Sequence, residues 1–299
     1  MRNRGTAMTG NTKKRTMKHS IWNETWRRLR RNRLAMVGLC ILAVLAFLTI
    51  FADFIADYDA LAIRQNTSIR LQLPSLSHPF GTDDYGRDLF ARIIHGARVS
   101  LSVSLLSTAV SIVLAFIIGS VAVYYGGIVD SVIMRILDMF MGIPLLLLAI
   151  AISASLGPGI GNLLLAITIA QVPGFTRIVR SVILNIYGQE YIEAARAYGA
   201  KDTYIIFAHI LPNAMGPIIV QATMSVANVI LNTAALSYLG MGMQPPAPEL
   251  GSMLSDGKEF LRYSPYLVTI PGLTIVVSAL SLNLLGDGLR DALDPRLKN

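Results

Sequence analysis

Apolar residues in this chain fall into long charge-free runs, separated by stretches where charge, glycine and proline concentrate. A bilayer's hydrocarbon core is ~30 Å thick, and a helix rising ~1.5 Å per residue crosses it in ~20 residues. Each run therefore predicts a spanning helix. Leu34–Ala52 is the first and Val99–Tyr125 the second. Met139–Thr176 is too long for one crossing and is interrupted by Gly157-Pro158-Gly159-Ile160-Gly161, which predicts a hairpin of two spans at roughly 131–154 and 162–180. Thr203–Pro248 lacks Asp, Glu, Lys and Arg; the fifth span falls at 213–238, ahead of Pro245-Pro246-Ala247-Pro248, and Ser264–Gly286 is the sixth. Unpaired backbone groups are not tolerated in lipid, so the segments are expected to be helices. The fold class is an all-α polytopic membrane protein with six transmembrane helices.

Composition agrees. The 299 residues are 53% hydrophobic and 15% charged, against about 25% charged in soluble domains. The single cysteine, Cys40, excludes an intrachain disulfide and a cysteine-based metal site. The net charge of +8 does not point to nucleic acid, because residues 1–33 hold 11 Lys/Arg against one acid, Glu24, directly ahead of the first span. With that tail inside, the inner segments carry 18 Lys/Arg and the outer ones 7. That bias predicts cytoplasmic N- and C-termini. The resulting organisation is a basic tail (1–33), a first span with an outer loop (34–98), a five-helix core (99–286) and a short inner C-terminus (287–299).

Two polar stripes cross the apolar spans. Ser100, Ser104, Ser107 and Ser111 stand at offsets 0, 4, 7 and 11, as do Gln221, Ser225, Asn228 and Asn232. At ~100° per residue each set lies on one narrow helix face. The serines read as close helix packing. The amides are costly in lipid unless they face protein or water, and a water-accessible path is favoured over an interhelical hydrogen-bond seam. In the third span, Asp130 suits the exposed N–H groups of a helix start. Arg135 and Asp138, three residues apart, can meet on one face. A structural ion pair and cap is favoured over a proton relay.

Residues 189–212 follow another pattern. Glu190, Glu193, Ala194, Ala195, Arg196 and Ala197 are good helix formers with acids first. Gly199 can end that helix, a second short helix is expected at Asp202–Ile210, and Pro212 opens the fifth span. The alanines allow close approach by a partner and Glu193 offers it a charge, so the segment reads as a helical knob at the foot of a membrane helix. An interfacial helix on lipid headgroups is the alternative.

Glu193-Ala194-Ala195, then Gly199, then His209-Ile210-Leu211-Pro212 resembles the EAA loop of ABC importer permeases. His78-Pro79-Phe80-Gly81-Thr82-Asp83-Asp84-Tyr85-Gly86-Arg87-Asp88, with Gly96-Ala97-Arg98-Val99-Ser100-Leu101, resembles the dipeptide/oligopeptide/nickel branch of that family. Gly286-Asp287-Gly288-Leu289-Arg290-Asp291-Ala292-Leu293-Asp294-Pro295-Arg296 is similar to the ending of its C-type subunit, and the likeness covers roughly 20–299. One departure is Leu250 before Gly251, where many relatives carry Trp. The resemblance implies a type I importer permease fold in a bacterial inner membrane. It also implies a second, B-type permease, two ABC ATPase subunits and an extracytoplasmic substrate-binding protein. ATP and Mg2+ would belong to the ATPase partners, with no cofactor in this chain. Glu193, Ala194, Ala195, Gly199, Leu211 and Pro212 would form the ATPase-coupling loop, and Gln221, Ser225, Asn228 and Asn232 would line the translocation pathway. Peptides are the expected cargo, with nickel chelates, glutathione or a related solute as alternatives. His209 is not read as a metal ligand.

The chain lacks the means to hydrolyse ATP by the P-loop route. The nearest string, Gly251-Ser252-Met253-Leu254-Ser255-Asp256-Gly257-Lys258-Glu259, has the wrong glycine spacing and ends in Glu. H-E-x-x-H and G-x-S-x-G are absent, and His19, His78, His95 and His209 fit no ligand spacing. A secondary transporter or channel is the rival reading, which Pro217 and Pro271 would favour if they break helices.

Overall fold

The computed structural model describes residues 21–293; of the sequence features above, His19, the first twenty residues of the basic tail and Asp294-Pro295-Arg296 lie outside them. Among the described residues the chain is helical, with one isolated bridge between Thr82 and Asp88. A short α1 (Ile21–Leu29) leads to α2 (Arg33–Ile50), whose first turn is capped by the Asn32 side chain accepting from Ala35 N at 3.2 Å. A single turn, α3 (Ala52–Ile55), ends the first crossing. After the connecting loop comes α4 (Leu89–Tyr125), capped by Asp88, which accepts from Ala91 N at 2.8 Å. Its 37 residues span about 55 Å, far more than the hydrocarbon core, so its first turns stand outside the bilayer.

The third crossing departs from the expected single helix at 131–154. It consists of α5 (Gly127–Met141) and α6 (Leu145–Leu156), bent by 86° at Gly142-Ile143-Pro144. Pro144 has no N–H to continue the ladder and its ring disfavours helical backbone at Ile143. The expected hairpin break is present: Gly157 and Gly159 take φ +85° and +141°, open to glycine, before α7 (Ile160–Tyr187). Then follow α8 (Glu190–Ala197), the single turn α9 (Asp202–Tyr204), α10 (Leu211–Tyr238), α11 (Leu250–Gly257) and α12 (Tyr266–Leu293). The short helix expected at Asp202–Ile210 is helical but not separate from the fifth span. Past α9 the chain makes a π-type turn, Ile205–Ile210, that runs directly into α10. Pro217 and Pro271 sit inside continuous helices and break neither. Among the described residues five helices are long and apolar enough to cross a membrane, and counting the bent pair as one crossing makes six.

Small residues set the packing, as expected where lipid removes any apolar preference between helices. At Gly38 an added Cβ would sit 2.7 Å from Ser281 O, so α2 and α12 touch backbone to backbone. Gly286 meets Met224 Cγ at 2.7 Å in the same sense, joining α12 to α10. Large apolar side chains such as Val44, Phe47, Ile117 and Leu165 face outward, toward the acyl chains. Contacts define the two ends of the bundle. Arg98 donates to Asp53 at 2.8 Å, so α3 lies beside the start of α4. Tyr124, at the other end of α4, donates to Asp202 at 2.8 Å, so the 189–212 loop sits at that second end. Leu29, Ala35 and Ala292 cluster there too, which brings the first and last described helices to the loop's end of the molecule.

Gly251 packs directly on the α10 backbone. A Cβ there would lie 2.3 Å from Ala234 O and 2.8 Å from its Cα, both backbone atoms of α10. Gly251→Val is expected to cost about 1–3 kcal/mol of overpacking and to lower the thermal midpoint of the purified protein. An unchanged midpoint would mean that α11 is free to move off α10.

Candidate functional site

The loop at 189–212 is built around one buried side chain. Ile192 is 0% exposed and packs in a cluster with Val179, Ile183, Ile205, Ile210 and Ala214, with Ala195 and Ala200 against its edge. That anchor turns the opposite face of α8 outward: Glu190, Glu193, Ala194 and Ala197 are exposed, and Tyr198 is 92% exposed. The helix ends in a paired hydrogen-bond motif, with Gly199 N donating to Arg196 O at 2.8 Å and Ala200 N to Ala195 O at 3.0 Å. Such a Schellman ending needs a left-handed residue after the cap, and Gly199 supplies it at φ +80°. A Cβ at Gly199 would meet nothing within 4 Å, so the constraint is backbone conformation, not space. Arg196 lies 4.0 Å over the Tyr187 ring, and the Tyr124–Asp202 bond ties the loop's far side to α4. His209 stands between Tyr191 and Tyr204, at centroid distances of 6.0 and 5.5 Å. Leu211 is half-buried and Pro212 exposed in the first turn of α10.

The two stripes differ in placement. Ser100, Ser104, Ser107 and Ser111 are all buried. Ser104 and Ser111 donate to carbonyls four residues back at 2.7 Å, and Ser111 also reaches Thr168 O on α7 at 3.1 Å. Close packing is the role this geometry supports. On α10, Gln221, Ser225 and Asn232 are half-buried and Asn228 is exposed. Gln221 donates to Ser225 at 3.3 Å and Asn228 to Met224 O at 3.4 Å, both within the same helix. Within this chain the amides form no interhelical seam among the described residues.

The charged residues of the third crossing are paired differently from the expectation. Arg135 and Asp138 do not bond each other. Asp138 pairs with Arg177 and Asp130 with Arg180, whose Nε donates at 2.5 Å, while Arg135 is exposed and has no ion pair among the described residues. The i,i+3 spacing along α5 is real, but antiparallel α7 presents its own arginines to both carboxylates. Asp130 does lie in the first turn of α5, as a helix-start acid should.

A polar cluster at the opposite end of the bundle went unread as chemistry. Arg87 Nε donates to Asp83 at 2.6 Å, and Arg92 Nε lies 3.3 Å from the same carboxylate. Arg92 also donates to Ala62 O at 2.9 Å and Pro246 O at 3.1 Å, joining the loops ahead of α4 and α11 to α4. Glu249 is 0% exposed; it accepts from Ser100 Oγ at 2.9 Å and caps α11 through Ser252 N at 3.0 Å. These partners lie up to 154 residues apart, and only the Asp83-to-Asp88 run hinted at them. Burial pushes the Asp84, Asp256 and Glu249 carboxyls above the ordinary carboxylate range, with the neighbouring Asp83 adding to the shift at Asp84.

Comparison with known proteins places this arrangement. Residues 111–299 match the family model described as binding-protein-dependent transport system inner membrane component, and residues 20–74 match that of the N-terminal TM domain of oligopeptide transport permease C. The dipeptide transport system permease protein DppC of Alkalihalophilus pseudofirmus is 46% identical over 280 residues, 94% of this chain and 91% of that protein. The di/tripeptide transport system permease protein DppC of Pseudomonas aeruginosa is 41% identical, over 92% of each. The glutathione transport system permease protein GsiD of Escherichia coli is 42% identical over 93% of this chain and 91% of its own. Among solved structures, an inward-facing form of the MetNI methionine ABC transporter shares the fold, with a TM-score of 0.56 and 20% identity over 69% of this chain and 98% of that one.

The outer cluster carries a pH signature. A carboxyl raised in the folded chain contributes stability that is complete below its unfolded pKa and is lost as pH rises through the raised value. Asp256→Asn removes one such group, so its thermal midpoint relative to the parent protein is expected to climb as the pH rises above about 4. A pH-independent difference between the two would show that Asp256 titrates normally.

Proposed function

The chain belongs to the binding-protein-dependent inner membrane components, the permease subunits of ABC importers, and from that premise we propose that it is the C-type subunit of a short-peptide importer driven through α8. Several partners follow. A B-type permease completes the pathway, two ATPase subunits hold ATP and Mg2+, and a binding protein delivers cargo from outside. The end of the bundle that carries α8 faces the cytoplasm, in keeping with the excess of Lys/Arg in the segments on that side. Cargo of one to a few residues is supported by the dipeptide and di/tripeptide relatives. Glutathione, the cargo named for the GsiD relatives, is itself a small peptide.

One observation carries the coupling role: α8 is pinned by wholly buried Ile192 while Glu193 and Ala194 are presented outward. A partner seated on that face moves a helix fixed to α7 and α10 by apolar packing and to α4 by Tyr124 and Asp202. The small Ala194 lets the partner surface come close, and Glu193 supplies the charge that a basic groove recognises. Docking can shift the transport equilibrium only as far as it favours one conformation over the other. The rigid attachment makes docking sensitive to conformation. The amide face of α10, unsatisfied by other helices among the described residues, borders the pathway, where water and peptide groups can bond it.

Peptide uptake by the complete complex in proteoliposomes tests both halves. Glu193→Lys is expected to weaken co-purification of the ATPase subunits and to cut uptake at least about tenfold. Gly199→Leu, strained in the left-handed region, is expected to do the same while the subunit still inserts; normal uptake by both variants would overturn the assignment. In a Cys40→Ser background, since Cys40 is exposed, cysteines at 221, 228 and 232 are expected to react with water-borne thiol reagents in the assembled complex. Protection of all three, with neighbouring positions labelled, would remove the pathway role.

A further inference from the structure

Five arginines, Arg27, Arg28, Arg30, Arg31 and Arg33, stand within seven residues directly ahead of the first span. The structure gives three of them a shared setting. α1 is held on α12 by Leu29, which packs with Ala35 and Ala292. Glycine at 288 permits that approach, since a Cβ there would fall 2.2 Å from Ala35 Cβ and 3.1 Å from Leu29 Cδ1. Between the two helices lies a groove of about 500 Å³ lined by Glu24, Arg27, Arg28, Arg31, Asn32 and Asp291.

The charges in the groove are not balanced from within. Glu24 is engaged by Arg28 at 2.8 Å, and Arg30 is turned onto the Trp26 ring at 5.3 Å. No carboxylate among the described residues pairs with Arg27 or Arg31, although Asp291 also lines the groove. Arg33 begins the spanning helix, so the groove stands one turn beyond the hydrocarbon boundary, at the level of lipid headgroups. Guanidinium groups match phosphate oxygens in paired hydrogen bonds, and basic pockets at this depth attract anionic lipids. Trp26 is 44% and Leu34 64% exposed. The amphipathic Trp26 ring beside Arg30 and the exposed Leu34 in the first turn of the spanning helix suit a ligand with acyl chains more than a free anion.

We propose that this groove holds the phosphodiester headgroup of an anionic phospholipid from the adjoining leaflet, with Arg27 and Arg31 as its principal contacts. The proposal does not rest on the peptide-transport reading, and its readout is bound lipid.

Native mass spectrometry of the complete complex, equilibrated with mixed phosphatidylglycerol and phosphatidylcholine, tests it. The parent complex is expected to retain phosphatidylglycerol selectively. The Arg27→Gln/Arg31→Gln variant, stripped of two charges at the headgroup plane, is expected to hold it about 30-fold more weakly. Arg27→Lys/Arg31→Lys is expected to keep most of the affinity, and Arg262→Gln, at the far end of the bundle, all of it. Equal retention of the two lipids by the parent complex overturns the proposal without any variant. Undiminished phosphatidylglycerol on the Gln pair overturns it as well. Displacement of the lipid by millimolar inorganic phosphate would make this a free-anion site instead. Loss of the ATPase subunits from the Gln pair, with lipid retention intact, would make it a protein interface.

Discussion

Lipid offers no hydrogen bonds, and that single constraint shapes everything else in this molecule. Every backbone group at membrane depth must be paired within the chain, so the polypeptide is helical wherever it crosses and irregular only at the ends. The one sharp break near membrane depth falls at Gly142-Ile143-Pro144, where proline has no N–H to leave unpaired. The loops ahead of α4 and α11 are polar because the helices themselves leave little place for such chemistry. At the other end α1 and α8 are the helices that are not apolar.

The same constraint sorts the polar side chains. Ser104, Ser107 and Ser111 on α4 donate to carbonyls of their own helix, and Ser111 also to α7, which lets the two helices pack closely. Carboxylates on α5 are answered by arginines on α7. At the end opposite the 189–212 loop Arg92 and Glu249, both buried, hold loops and α11 against α4. Among the polar surfaces without an interhelical partner are the amide face of α10 and the exposed face of α8. In the proposed assembly these are the faces offered to cargo and to an ATPase subunit; the turn at Gly199 separates α8 from the continuous helical run of residues 202–238.

The crossings were legible because hydrophobic runs and bilayer thickness are a one-dimensional match; α2, α7, α10 and α12 fall where the runs predicted, give or take a turn or two. The 189–212 loop was legible for a similar reason. The acids at the start of α8, its alanines and Gly199 encode a helix and its Schellman ending locally. The ion pairs were not. Arg135 and Asp138 share a face of α5, but the partners that win, Arg177 and Arg180, come from a helix whose register against α5 no spacing reveals. The buried role of Glu249 was hidden likewise, since Ser100 stands 149 residues before it.

By itself, then, the sequence determined which segments enter lipid, that they are helices, and that a small acidic-alanine helix stands between the fourth and fifth of them. These are properties of composition and local periodicity, and they hold whatever the neighbours do. Only the tertiary structure decided which carboxylate meets which arginine, that Ile192 is the side chain buried beneath α8, and that α1 and α12 enclose a basic groove. Each of those depends on the rotation and register of helices packed through small residues, and side-chain spacing along one helix carries no information about the helix it will face.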